Sequence, residues 1–183
     1  TFTSEPVAGG TIVELDGGTA GNAIPALATA VIRASAADLP AADGIDIEDA
    51  GDGLVKLTAH GIGGHASLPE GTRNAIGMVV DYLWDNGLYS PDQQPFMELE
   101  RLIMGSTDGS TLDIAATDDV FEPLTCIGGT VRTQDGCFVQ TIDSRFPKSI
   151  TGEEIEARVR PLGERYGCKL TVDLMLPPFY VDP

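Results

Sequence analysis

The chain has 183 residues, with 28 Asp and Glu against 11 Lys and Arg and a formal net charge of −17, so a phosphate backbone or an anionic membrane surface is repelled and nucleic-acid binding is excluded. A composition of 42% hydrophobic, 21% charged and 6% aromatic residues belongs to a globular chain long enough to bury a core, not to an acidic disordered tail. The three cysteines, Cys126, Cys137 and Cys168, are odd in number and form no CxxC, which argues against a zinc knuckle or a closed disulfide framework and for a reducing cytoplasm.

In chain order, residues 11–15 form a short strand closed by Asp16-Gly17-Gly18, and residues 25–33 alternate as a longer one, with a Gly-rich loop holding Asn22 between them. Ser35 is a candidate N-cap for a short Ala-rich helix over 35–43, which leads to a turn over 49–53. Residues 54–60 alternate as a strand with one wet face, and a Gly-rich loop follows over 61–71. A helix over 73–84 is predicted to bury Ile76, Val79, Val80 and Leu83 and to stop at Gly87. Ser90, Pro91 and Gln93 predict the start of a second helix, which places Phe96, Leu99, Leu102 and Ile103 on one face and ends at Gly105. Strands are expected over 112–116, 124–133 and 137–143, the last two joined by the hairpin turn Gln134-Asp135-Gly136. Thr151 and Glu154 form a capping box for a helix whose apolar stripe is Ile155, Val159, Leu162 and Tyr166, stopped by Gly167. Leu170, Val172 and Leu174 then alternate as a last strand. The expected fold class is α+β, in two strand-helix-strand units with a pseudo-twofold relation, an antiparallel or mixed sheet and helices on one side. The subdomains are expected at approximately 1–105 and 106–183.

No run approaches the roughly 20 apolar residues that span a bilayer, and residues 1–10 lack a basic segment followed by an apolar one. The absence of an initiator Met and the strand-like tail Leu176-Pro-Pro-Phe-Tyr-Val-Asp-Pro183 lead us to expect a piece of a longer protein.

Only two histidines are present, His60 and His65, flanking a Gly-rich turn with no HExxH. A catalytic zinc site needs about three converging protein ligands, so no metal ligand is assigned in this chain. Acidic pairs such as Asp118-Asp119 and Glu153-Glu154 suit a solvated face or a helix start. The stretch Gly17 to Gly21 lacks the spacing that cradles phosphate. His65 differs, because it sits among small residues in a strand-to-helix loop where its ring should project uncovered. Arg145, at a strand end and just before Pro147, is on its own an ordinary surface cation.

Several segments carry a family resemblance. The stretch from Gly61 through His65, Ser67, Pro69, Gly71, Asn74 and Ala75 resembles the G-x-x-x-H-x-S-x-P-x-x-G-x-N-A signature in the lid or dimerisation domain of dinuclear zinc peptidases: dipeptidase V, carnosinase, succinyl-diaminopimelate desuccinylase and aminoacylase. The spacing around Gly71 differs by one residue. Gly17-Gly18 through Asn22 to Pro25 is similar to that family's GG-x-x-x-N-x-x-P segment. Leu124-Thr125 through Gly136 resembles its ribbon, and Ser144-Arg145-Phe146-Pro147 resembles its R-Y-P motif. Order and spacing are most similar to the dipeptidase V branch, in which one chain carries a doubled lid. Departures are Phe146 for Tyr, the polar Asp143-Ser144 before the Arg, and Ala23 where a bulkier residue is common.

The resemblance implies a lid that closes over a separate catalytic domain of the same polypeptide. That domain would hold two zinc ions on His, Asp and Glu ligands, with a Glu as general base. His65 is implied to be the catalytic residue of the lid, stabilising the oxyanion of the tetrahedral intermediate. Asn22 and Arg145 are implied to bind the substrate's backbone and terminal carboxylate. The expected activity is dipeptide hydrolysis by the parent enzyme, with the isolated chain inactive. The alternatives are the lid of an N-acyl amino acid deacylase or desuccinylase, and a freestanding dimerisation or peptide-binding module. A doubled lid brings its own histidine over its own active site, so the parent is expected to be monomeric.

Overall fold

A computed structural model of the chain describes residues 1–7, 9–173 and 176. The elements among them are, in chain order, β1 (Phe2–Ser4), β2 (Ile12–Gly17), β3 (Ala23–Ile24), β4 (Leu27–Arg33), β5 (Ile45–Gly51), β6 (Leu54–His60), β7 (Gly64–His65), α1 (Ala75–Asp85), α2 (Gln94–Met104), β8 (Thr125–Gln134), β9 (Cys137–Arg145), α3 (Gly152–Arg165) and β10 (Cys168–Leu170). The fold is α+β. Eight strands form one sheet in the order β10, β1, β9, β8, β2, β4, β6, β5, and β3 pairs with β7 in a separate two-stranded ribbon. Every pairing is antiparallel.

The period-2 pattern decides which face is covered. Ala28, Ala30 and Ile32 of β4, Val55, Leu57 and Ala59 of β6, and Phe138 of β9 all point into one core. The same core takes in Ile76, Val79, Val80 and Leu83 from α1, Phe96, Leu99 and Ile103 from α2, and Ile155 and Val159 from α3. All three helices therefore lie on one side of the sheet, and no helix among the described residues covers the other, open face. At its outer edge, β5 carries exposed Glu48 and Asp49, charges that discourage further strand pairing.

Four strands lie on each side of the β2–β8 junction. Main-chain pairing there is brief, at Gly17↔Val131, and side chains extend it. The Thr133 hydroxyl accepts from Leu15 N–H at 2.8 Å and donates to the Leu15 carbonyl at 3.1 Å. The Arg132 guanidinium donates to the carbonyls of Gly17 and Gly18. The halves share the four-strand layout but reach it by different chain routes: α1 follows the third strand outward, β6, whereas α3 connects the second, β9, to the edge, β10. The third place in the C-terminal half is filled by β1, so the N-terminal residues cross the expected division at 105 and satisfy the free edge of the β8–β9 hairpin.

Local signals were obeyed where a specific cap or turn geometry was available. Thr151 and Glu154 form the full capping box of α3. Asp135 and Gly136 both have positive φ, as a tight two-residue hairpin requires. Four expectations are corrected. The helix over 35–43 is only a 3₁₀ turn at Ala36–Asp38, since Ser35 makes no side-chain cap bond and Pro40 withholds a donor. The turn over 49–53 is the end of β5 plus a tight reversal at Asp52 and Gly53. Ser90 does not cap α2: its hydroxyl turns to Asp92 at 2.5 Å, the cap is Gln93, and Pro95 takes the first turn. The strand over 112–116 is absent, because a 3₁₀ turn over Ser110–Leu112 ends in left-handed Asp113. At the C-terminus β10 ends at Leu170 and Val172 lies beyond it; Leu174 and residues 177–183 fall outside the described residues.

Candidate functional site

Two of the sequence segments singled out above converge on the open face. The loop after β6 is closed at its stem by a double hydrogen bond between Ile62 and Arg73, at 2.9 and 2.8 Å. It is sewn to the loop after β2 at three points: Gly61 N–H to the Ala26 carbonyl at 2.9 Å, Ala66 N–H to Asn22 at 3.1 Å, and Ala75 N–H to Pro25 at 2.9 Å. The ribbon pairs Ala23 with His65 and Ile24 with Gly64. Asn74 caps α1, its Oδ1 accepting from Ile76 N–H at 2.9 Å, while its Nδ2 donates to the Gly128 carbonyl of β8 at 2.8 Å. The Asn of the signature is thus a structural joint between loop, helix and sheet.

The ribbon has a small core of its own, in which Ile24 and Ala66 pack on Ile127 of β8. Ala66, in the turn just after β7, is buried against Ile127, whereas His65 is exposed. Ile127 pairs with Asp143, and Thr125 with Arg145. Arg145 and Asp143 therefore share the sheet face on which the ribbon sits.

The structure brings Asn22 and His65 together through main-chain bonds, with the Asn22 side chain exposed. Arg145 lies on the same face without a hydrogen bond to either loop. Its Nε donates to Asp143 Oδ1 at 2.8 Å, and this hydrogen bond and charge raise the guanidinium above its usual range. The terminal guanidinium nitrogens make no bond to a described residue, so the planar fork is fixed at one corner and open at the other. His60 does not join the group: its Nε2 meets Asp46 Oδ2 at 2.7 Å, toward the β5 edge.

Two positions went unrecognised as partners in the sequence. Ser67 approaches the His65 ring with both its hydroxyl and its N–H, and Asp143 holds Arg145. Each lies two residues from its partner; for Asp143 and Arg145 on β9, that spacing places both side chains on one face of the strand.

A cleft of about 410 Å³ runs along the ribbon loop, lined by Asp16, Ala23, Pro25, Leu27 and Thr29 among others. A larger one, about 520 Å³, lies between α1 and the 40–45 segment and carries Asp43, Asp81 and Asp85; burial raises the Asp81 carboxyl above its usual range. Among the described residues no three His, Cys, Asp or Glu side chains converge as a metal centre requires, so the zinc chemistry implied by the resemblance finds no fitting donor set here. Among the described residues no helix is long and apolar enough to cross a membrane. No protein-family model matches the chain, and a search of curated proteins finds no match either.

Proposed function

We propose that this chain is the lid of a zinc-dependent dipeptidase, and that it acts by presenting His65, Asn22 and Arg145 to a substrate held in a separate catalytic domain. The observation that carries this reading is the ribbon: it gathers Asn22 and His65 on the open sheet face, on the same side as an Arg whose terminal N–H groups bond no described residue. An outward imidazole N–H suits an oxygen that gains negative charge, an amide side chain suits a peptide main chain, and a guanidinium fork suits a carboxylate. The exposed apolar residues Leu27, Ile62 and Leu68 flank the same loops and give the lid a surface to close against another domain. The acidic outer strand supports a monomeric parent, and three free thiols suit a reducing cytoplasm. The metal ligands and the general base would lie outside this chain, so no step is assigned to them here.

The test is kinetic and uses the full encoded reading frame. With dipeptide substrate, His65→Ala is expected to lower kcat by a factor corresponding to roughly 3–4 kcal/mol while KM changes little, because an oxyanion donor acts chiefly in the transition state. An unchanged kcat would remove His65 from the mechanism. Arg145→Ala is expected to weaken free-acid dipeptides by about 1.5–3 kcal/mol and to leave C-terminally amidated ones nearly unaffected. Equal losses on both would make Arg145 structural. Parallel assay of an N-acyl amino acid decides between the dipeptidase and deacylase readings, and absence of hydrolysis of either by the full-length protein leaves a non-catalytic binding module.

A further inference from the structure

The two histidines are held in opposite ways. His60 turns Nε2 to the Asp46 carboxylate at 2.7 Å, so the nitrogen able to donate is already used. His65 turns Nδ1 inward, where it meets Ser67 Oγ at 2.7 Å and Ser67 N at 3.2 Å. A main-chain N–H can only donate, so the atom it points at must carry a lone pair and no proton. A neutral imidazole has one ring proton, which Nδ1 cannot then hold, and it resides on Nε2. The hydroxyl, rotating freely about its C–O bond, donates to the same lone pair. No described residue bonds Nε2 of His65.

We propose that Ser67 is a positioning residue that locks His65 as the Nε2–H tautomer, so that the ribbon offers a single outward N–H and takes its ligand through an acceptor oxygen of a carbonyl, carboxylate or oxyanion. The ligand class rests on the lid reading above; the tautomer does not. Two donors converging on one ring nitrogen also fix the plane of the imidazole, because the in-plane lone pair must face them. That constraint suits an exposed ring on a two-residue strand. The Ser therefore does for orientation what burial does elsewhere, and its place two residues after the His is what allows one residue to supply both donors.

The readout is the ring nitrogens of the ¹⁵N-labelled chain, observed through their two-bond couplings to the ring protons about one pH unit above the ordinary imidazole value. In the unsubstituted chain His65 Nδ1 is expected to resonate as a bare, pyridine-like nitrogen and Nε2 as a protonated, pyrrole-like one. Ser67→Ala keeps the N–H but loses the hydroxyl, and is expected to draw the two His65 shifts toward each other as the second tautomer becomes populated. Ser67→Thr restores the hydroxyl and is expected to restore the separation, with His60 unchanged throughout as the internal control. A protonated Nδ1 or averaged shifts in the unsubstituted chain would overturn the proposal, and so would a Ser67→Ala spectrum in which His65 is unaltered. Because the measurement is made on the chain itself and needs no catalysis, its failure is distinct from a failure of the dipeptidase reading.

Discussion

Gly18→Ala is expected to destabilise the chain by ~2–5 kcal/mol and to release the 18–26 loop from the sheet. Gly18 has φ +80°, a left-handed conformation in which a side chain costs roughly 1–2 kcal/mol. A Cβ there would also fall on the Gly129 carbonyl oxygen, and a Cβ at Gly129 would fall on the Gly21 carbonyl. The obstacles are backbone, which cannot swing aside as the end of a long side chain can. The β8 register shifts between Gly128 and Val131, a bulge that turns the Gly129 and Thr130 pair toward the open face just where the loop crosses. If the loop lifts, the Arg132 bond to the Gly18 carbonyl, 2.6 Å long, is lost, and β3 moves and takes β7 and His65 with it. Gly53→Ala is the control, because Gly53 has φ +75° and nothing within 4 Å of a new Cβ, so only the conformational part is felt. Urea unfolding gives the two stabilities, and the Ala66 N–H resonance reports whether the ribbon remains docked. A Gly18 variant no less stable than the Gly53 variant would show that this close approach does not hold the site.

The glycines also explain what was legible. Motif segments with fixed spacing, Gly17 to Pro25 and Gly61 to Ala75, converge because each residue type answers a local demand: a glycine where two backbones touch, an Asn that both caps α1 and reaches β8, a Pro carbonyl that accepts from Ala75. Amphipathic stripes placed α1 and α3 well, since Val79, Val80 and Val159 face one core. Strand β5 was missed because Ile45 to Gly51 carries three acids and sits at an edge with no fully buried position, and its apolar alternation covers only Ile45 to Glu48 before Asp49-Ala50-Gly51. Strand β1 was missed for another reason: three residues carry too little pattern, and their pairing with β9 and β10 spans nearly the whole chain. The start of α2 was misplaced because a long-range demand outweighed the local cap. The Gln93 side chain is buried and bonds both the N–H and the carbonyl of Ile12, at 3.0 and 2.8 Å.

At the candidate site, the side-chain partners were not legible in the sequence. His65 stands out by type and by its loop of small residues, whereas Arg145 is on its own an ordinary surface cation, and nothing local says that Asp143 engages one corner of the guanidinium. That contact follows from strand alternation once β9 is known to run unbroken through Arg145. The same ignorance of registry hid the polar groups sealed under α2.

Glu100 is the extreme case, and its replacement by Met is expected to stabilise the chain increasingly as pH rises from 4.5 to 8. Glu100 is fully buried, neither carboxylate oxygen has a hydrogen-bond partner among the described residues, and burial pushes the carboxyl from its ordinary 4.5 up to about 8. Below pH 4.5 folded and unfolded chains both hold the proton, so ionisation costs nothing. Between 4.5 and 8 the unfolded chain releases it first, binds fewer protons than the folded one, and stability falls with rising pH. Above 8 the loss is complete, on the order of 5 kcal/mol at about 1.4 kcal/mol per pH unit. The ionisable group that Glu100 influences across the core is Cys168, whose thiol is pushed up to about 12 by burial first and by the charges of Glu100 and Glu5 next; it stays neutral through this window and offers no compensation. Glu100→Met removes both unpaired oxygens and keeps an unbranched chain of similar reach. Urea unfolding of both proteins across this range should show midpoints that converge at the acid end and separate toward pH 8. Parallel curves would mean that Glu100 finds a partner or water in solution. One turn along the same helix, Met104 fills the space that a side chain at Gly128 would take, beneath the bulge that seats the His65 ribbon. Glu100 and Met104 thus lie on one helix, which backs the bulge from the opposite face of the sheet.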